Sequence, residues 1–226
     1  MSTEKHDFLS SLRPEDVAEL NALGTARTFE RGQALFHEGQ LVDRVLVLRS
    51  GVVKVTSTTS SGREVVLAFR GAGELVGDLA ALDGEPRSAT IRAVECVDVL
   101  SLTAPAFRGF LEARPAVALI LLRMLARRLR DADAKRIEYS ASTTIERVAA
   151  RLLEFSERFG LEDESGATLI ALPLSQEELA GATGASIESV GRALHTMRGL
   201  KCIETGRREI RVVDPEALAA LRQAAR

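Results

Sequence analysis

Gly77-Asp78-Leu79-Ala80-Ala81-Leu82-Asp83-Gly84-Glu85-Pro86-Arg87-Ser88-Ala89 is the stretch on which the fold of this chain turns. A glycine that frees backbone N–H groups, an acid beside it and an arginine presented next to a hydroxyl form a compact polar pocket suited to a sugar phosphate. The central run carries Gly84 and Pro86 and reads as a short turn between the two halves of the pocket. This pattern points to a ligand sensor and away from a catalyst.

Upstream and downstream of the cassette, from Ala26 to about Thr103, the texture is that of short alternating segments. They are Ala34 to Phe36, Val45 to Leu48, Val52 to Thr58, Val65 to Phe69, Thr90 to Val94 and Val97 to Leu102. Gly32, Gly39, Gly51, Gly62, Gly71 and Gly73 recur where turns between them belong, so the region reads as a small antiparallel barrel or roll. Ahead of it, Arg13-Pro14-Glu15-Asp16 opens an amphipathic helix with Val17, Leu20 and Leu23 inward and Gly24 at its end.

From Pro115 the period becomes helical and stays so to about Tyr139. Ala118, Leu122, Leu125, Leu129 and Ala132 follow the 4,3,4,3 spacing of a coiled-coil seam, which predicts a homodimer; a helix packed on its own barrel gives the same spacing. Arg123, Arg127, Arg128 and Arg130 lie outside that seam, on a solvated or ligand-facing side. A second helical stretch runs through Ile145 to Phe159, followed by an acidic loop from Gly160 to Gly166 and a strand-like Thr168 to Leu172.

Leu174 to Ala180 opens with a capping box, Ser175 with Glu178 three residues on. Thr183-Gly184-Ala185 then turns the chain, and Ser186 caps a second helix through Val190, Leu194 and Met197. Two short helices joined at a glycine, with Ala180 and Ala185 at the crossing, are a helix-turn-helix pattern. Cys202 to Val213 reads as strand, Thr205-Gly206-Arg207 turn and strand, a wing beside that helix. Thr183 to Val213 holds six Lys and Arg residues against three Glu, a local excess where phosphate attraction is needed. Glu188 and Arg192 share one helix face, able to accept from cytosine and to bond guanine, or to form a mere surface ion pair.

The whole chain has 226 residues, a formal charge of -2, 46% hydrophobic and 27% charged residues and no Trp, a composition that fits soluble globular domains and argues against a non-specific nucleic-acid coat. Any DNA contact has to be local. The two cysteines, Cys96 and Cys202, lie far apart and make no disulfide framework, zinc set or iron-sulfur set; both are expected as small buried residues. His6, His37 and His195 are scattered, so no metal site is expected, and a haem site has no support. No apolar run spans a bilayer and no signal pattern opens the chain, which gives the expectation of a cytoplasmic protein without a membrane partner. No P-loop, H-E-x-x-H or nucleophile elbow is present, so an enzyme is not expected.

Taken in order, these parts resemble the transcription regulators of the cAMP receptor protein and fumarate-nitrate reductase regulator family. The resemblance rests on Gly77-Asp78-Leu79 with Arg87-Ser88-Ala89, on Ala126-Arg127-Arg128-Leu129, and on Gly184-Ala185-Ser186 leading into Glu188-Ser189-Val190-Gly191-Arg192. It implies an α+β chain: a cyclic-nucleotide-binding β-roll (double-stranded β-helix) over residues 1–113, a dimerisation helix over 114–139 and a winged helix-turn-helix over 143–226. It implies that Arg87 and Ser88 hold a cyclic phosphate, that Asp78 takes a ribose hydroxyl and that Arg128 braces Asp78, with Gly77, Leu79 and Ala89 completing the cassette. Double-stranded DNA is the implied partner, through Gln176, Ser186, Ile187, Glu188, Ser189, Arg192 and the wing residue Arg208. A pseudo-palindromic operator, a hinge at Glu138 to Ser142 and RNA polymerase, contacted through Leu161 to Ser165, follow by the same analogy.

Several positions depart from the family pattern. Asp78 stands where the family usually has glutamate, one methylene shorter and displaced from the ribose hydroxyl. Ala132 and Asp133 stand where cAMP-binding members place threonine and serine. An ionised Asp133 only accepts hydrogen bonds, which favours the N–H edge of guanine, so cGMP or cyclic di-GMP is expected as a rival to cAMP; a solvated helix residue beside Lys135 and Arg136 is the plainer alternative. Ile187 and Gln176 each replace an arginine of the family's best-known member, so the half-site should differ from TGTGA and the salt dependence be shallower.

Overall fold

The computed structural model describes residues 7–41, 43–60, 62, 64–164 and 166–223. The chain divides into two units, Met1–Asp131 and Ala132–Arg226.

The first unit opens with α1 (Pro14–Leu23), where Pro14 sits at the first helical position and a Glu15, Asp16 pair suits the helix N-terminus. Its strands are β1 (Thr25–Phe29), β2 (Ala34–Phe36), β3 (Arg44–Leu48), β4 (Val53–Thr58), β5 (Glu64–Arg70) and β6 (Leu75–Val76). Then come α2 (Asp78–Asp83), β7 (Thr90–Ala93), β8 (Val97–Thr103), α3 (Ala104–Ala113) and α4 (Pro115–Ala141), whose last residues belong to the second unit. Two antiparallel four-stranded sheets result among the described residues, ordered β1-β8-β3-β6 and β2-β7-β4-β5.

β3 shows how the layers stack. Val45 and Val47 point into a cluster with Phe8, Leu20, Phe107, Phe110, Val117 and Leu121, the helix side. Leu46 and Leu48 alternate to the opposite face and meet Phe36, Val53 and Ile91 of the facing sheet, beside Val99 of their own sheet. The sheet holding β3 is therefore the middle layer of this unit.

The second unit contains α5 (Thr144–Phe159), β9 (Gly160–Glu162), β10 (Thr168–Ile170), α6 (Gln176–Thr183), α7 (Ile187–Gly199), β11 (Ile203–Gly206), β12 (Glu209–Val212) and α8 (Pro215–Gln223). A Thr143–Glu146 capping box starts α5, and a Ser175–Glu178 box starts α6. The strands form one antiparallel sheet in the order β11-β12-β10-β9. Val148, Leu152, Leu179, Val190, Met197 and Leu218 are all fully buried in this unit's core.

Five expectations need correction. The segment after Gly77 is the helix α2 and not a plain turn: Gly77 and Gly84, both left-handed, bracket it. Gly160 to Glu162 forms a strand paired to β10, so the acidic segment is a loop only beyond it. The wing turn falls at Arg207 and Arg208, because Gly206 pairs with Glu209. Leu23 and Cys96 are exposed. The strand β1, the helices α3 and α8 and the two-residue β6 had no counterpart in the sequence reading.

Candidate ligand pocket and nucleic-acid interface

Arg87 is the centre of the pocket, only 4% exposed. Its Nη1 donates to the Gly77 carbonyl at 2.9 Å and its Nη2 to the Arg44 carbonyl at 2.5 Å, while Asp43 Oδ1 lies 3.5 Å from Nη2. The Phe36 ring lies beneath the guanidinium, 3.8 Å from Cζ to the ring centroid, a cation–π contact. Burial lowers the Arg87 pKa first, and Asp43 and then Asp78 partly offset that loss. Two carbonyls and one largely exposed carboxylate leave the site cationic. Its Nε–H is buried without a hydrogen-bond partner. An orphaned donor on a desolvated cation is costly unless an anion completes it.

Gly77 is required by this arrangement. Its φ is +79°, and a Cβ there would stand 2.5 Å from Arg87 Nη1 and 2.9 Å from Phe36 Cε2. Asp78, at the first turn of α2, is 3% exposed and accepts from Arg128 Nη1 at 2.8 Å. Arg128 Nη2 also donates to the Leu75 carbonyl at 3.0 Å, so this arginine is held at both ends and is no solvated charge. Ser88 is exposed beside Arg87, Ala89 is buried and Leu79 is half exposed. The residues present thus fit an anionic sugar phosphate: a buried cation with an unpartnered Nε–H, an exposed hydroxyl and a braced acid. Phe36, Asp43 and Arg44 were not found from sequence, because nothing in their spacing ties them to Arg87.

On α4, Ala118 and Leu125 of the expected seam pack against the first unit's own core. Leu122 and Leu129 are exposed, at 60% and 64%, and Leu119 at 53%. Asp133 lies in the second unit, exposed and in no ion pair among the described residues; Lys135 pairs with Glu154 at 3.7 Å instead.

In the second unit, Gly184 takes the left-handed turn between α6 and α7, and the Ser186 side chain caps α7 by accepting from Ser189 N. Val190, Ala193, Leu194 and Met197 face inward. Ile187 and Glu188 are exposed, and Glu188, Gly191, Arg192, His195 and Thr196 line a shallow groove along the outer face. Arg192 donates to Ser189 Oγ at 2.8 Å, and the Glu188–Arg192 ion pair does not form among the described residues. Exposed Gln176 at the start of α6 abuts α7, its Oε1 3.3 Å from where a Gly191 Cβ would be. Arg208 is exposed at the hairpin tip.

The expected hinge segment is helical to Ala141 and tied down. Tyr139 Oη donates to the Ala182 carbonyl at 2.9 Å, Arg147 Nε to the Thr183 carbonyl at 2.9 Å, and Arg147 Nη1 to the Ser142 carbonyl at 2.7 Å. Arg151, 8% exposed, pairs with Glu138 at 2.9 Å.

Comparison with known proteins identifies the two domains that carry these residues. A family model described as the cyclic nucleotide-binding domain matches residues 26–114, and one described as the Crp-like helix-turn-helix domain matches residues 146–221. Together they define a DNA-binding transcription regulator that carries a cyclic-nucleotide-binding domain. The chain is 33% identical over 94% of each chain to a CRP-like cAMP-activated global transcriptional regulator of Mycobacterium tuberculosis. It is 34% identical over 82% of each chain to a cyclic AMP receptor protein of Thermus thermophilus. FixK2 from Bradyrhizobium japonicum shares the fold, with TM-score 0.76 and 24% identity over 88% of this chain and 96% of that one. The chain belongs to the cAMP receptor protein and fumarate-nitrate reductase regulator family.

Proposed function

We propose that this regulator is a homodimer whose operator affinity is set by a cyclic nucleotide held in the Arg87 pocket. The observation that carries this is the buried Arg87 guanidinium with its Nε–H unpartnered, beside the Asp78–Arg128 pair. Arg87 and Ser88 take the cyclic phosphate, Asp78 a ribose hydroxyl, and Gly77, Leu79 and Ala89 shape the cradle. Arg128 carries the pocket's state to α4, and ligand shifts the population toward the arrangement that fits two successive major grooves. Ile187, Glu188, Ser189 and Arg192 read bases, while Gln176, Ser186 and Arg208 meet the backbone or flank. The exposed Leu122 and Leu129, seven apart, support the dimer and with it a pseudo-palindromic operator. RNA polymerase is the downstream partner by family analogy.

The two cAMP-named relatives make cAMP the first nucleotide to titrate, and Asp133, in no ion pair among the described residues, makes cGMP and cyclic di-GMP the contrasting arms. Calorimetry with all three decides the base: cAMP binding much tighter than either guanine ligand sinks the guanine expectation. A second reading has its own observation, since the terminal nitrogens of Arg87 are already used by Gly77, Arg44 and Asp43. In it the pocket is structural and DNA binding is constitutive. A melting midpoint unmoved by millimolar nucleotide supports that reading, because a ligand that binds only the folded form must raise it. Selection from random duplexes tests the interface, and recovery of an unaltered TGTGA half-site refutes the expected change at Ile187.

A further inference from the structure

The tip of the β11–β12 hairpin closes Gly206 onto Glu209, leaving Arg207 and Arg208 as its two loop residues. Arg208 has φ +60°, the left-handed region that glycine and asparagine occupy with least strain. Backbone conformation therefore does not select arginine at this point. Neither does packing: both side chains are exposed, and among the described residues neither has a hydrogen bond or ion pair. Of the neighbouring cations, Arg211 is tied to Asp163 at 3.2 Å and Arg198 Nη1 to Thr205 Oγ1 at 3.4 Å, while exposed Lys201, φ +58°, stands at the base of the hairpin, away from its tip. Strain kept at an exposed position, for a side chain that stabilises nothing inside the molecule, points to an external partner.

The hairpin is fixed to α7. Cys202 N donates to the Met197 carbonyl at 3.1 Å, and Arg198 at the end of α7 reaches Thr205 in β11. A helix laid in a major groove leaves the neighbouring minor groove about half a turn, ~17 Å, away. Four residues of strand span about 13 Å, and the two arginine side chains extend beyond that. The tip offers no aromatic ring and no amide for reading base edges; it offers two adjacent guanidinium groups, which the deepened negative potential of a narrow A·T-rich minor groove attracts.

We infer that Arg207 and Arg208 read minor-groove width beside the half-site, so that this regulator selects an A·T-rich flank it does not contact through the major groove. The inference rests on α7 being the base-reading helix. The test measures affinity of the full chain for its selected half-site with the adjoining flank built as A·T, G·C or inosine·cytosine. An inosine·cytosine pair keeps the G·C major-groove edge but lacks the guanine amino group of the minor groove. The expected result is equal affinity for A·T and inosine·cytosine flanks and about tenfold weaker binding to G·C. The Arg207→Ala, Arg208→Asn double variant should lose that flank difference and keep its preference for the half-site bases. Because asparagine suits the left-handed backbone, Arg208→Asn alone should melt at or above the parent, which shows the hairpin intact. A flank difference that survives in the double variant, or an inosine·cytosine flank that behaves as G·C, overturns the inference while leaving α7 as the reading helix. Absence of any duplex preference in the parent overturns both.

Discussion

Arg128 Nη1 stands 2.8 Å from Asp78 Oδ2, joining the long helix α4 to the first turn of the cassette helix α2. Asp78 is almost wholly buried and Arg128 partly so, and the second Arg128 nitrogen is anchored on the Leu75 carbonyl. A pair of this kind costs desolvation to form and leaves a worse problem when one half is removed. It gives the pocket a rigid link to the helix expected to carry its signal.

Asp78→Asn tests that link. Neutralising the acid leaves Arg128 facing an amide, and the loss should be about 2 kcal/mol, below the range for a fully buried pair because the arginine reaches solvent. Urea unfolding reads the loss, and nucleotide titration should show weaker binding in the same variant. A change under about 0.5 kcal/mol is the surface-pair value and would mean the bridge is solvated.

Gly77→Ala should be more damaging than its single methyl implies. The new Cβ collides with Arg87 and Phe36, and a left-handed φ is imposed on a non-glycine residue. A destabilisation of about 2 kcal/mol is expected, together with loss of any nucleotide-induced rise in melting midpoint, since Arg87 must move. Unchanged nucleotide response in a folded Gly77→Ala variant would show that Arg87 does not hold the phosphate.

How much of this was legible differs by element. The inner strands showed themselves because β3 and its neighbours alternate apolar residues at period two. β1 did not, since Thr25–Phe29 is a largely exposed edge with no apolar alternation to read. α2 was hidden by its length and by Leu79 and Leu82 facing outward, so no inward stripe marks it. The cassette residues were local and legible. Their supports, Phe36, Asp43 and Arg44, sit far upstream in the chain and reach Arg87 only through the tertiary fold. On α4, heptad spacing says which residues share a face but not what they meet: Ala118 and Leu125 are spent on the chain's own core.

That division makes Leu122 and Leu129 the residues to test for self-association. Leu122→Glu places a charge on an exposed apolar face and touches no core contact, so the folded monomer should keep its stability within about 0.5 kcal/mol. Sedimentation should then show a shift from dimer to monomer at micromolar concentration, with operator affinity falling as the half-sites uncouple. A variant that sediments like the parent would place the dimer contact elsewhere.

Tyr139 offers the most direct measurement, because it is the one tyrosine in a chain without tryptophan. Its hydroxyl donates to the Ala182 carbonyl just before the α6–α7 turn, and its ring lies 5.9 Å from the Arg147 guanidinium that grips Thr183. Burial pushes the phenol pKa up, and Glu138 adds to this while Arg151 and Arg147 pull it back. A group whose folded value is raised contributes stability that is complete below the unfolded value near 10 and is lost as pH rises through the folded value. Ultraviolet absorbance titration should therefore give a midpoint above that of free tyrosine, dropping to the free value in denaturant. Melting midpoints measured from pH 8 upward should fall more steeply for the parent than for Tyr139→Phe, which cannot ionise. Losing the bond to Ala182 should also loosen the grip of α4 on the helix-turn-helix, cutting the ratio of operator affinities with and without nucleotide about fivefold. Equal ratios and equal alkaline slopes in parent and variant would reduce Tyr139 to a packing residue and move the coupling to the Glu138–Arg151 pair.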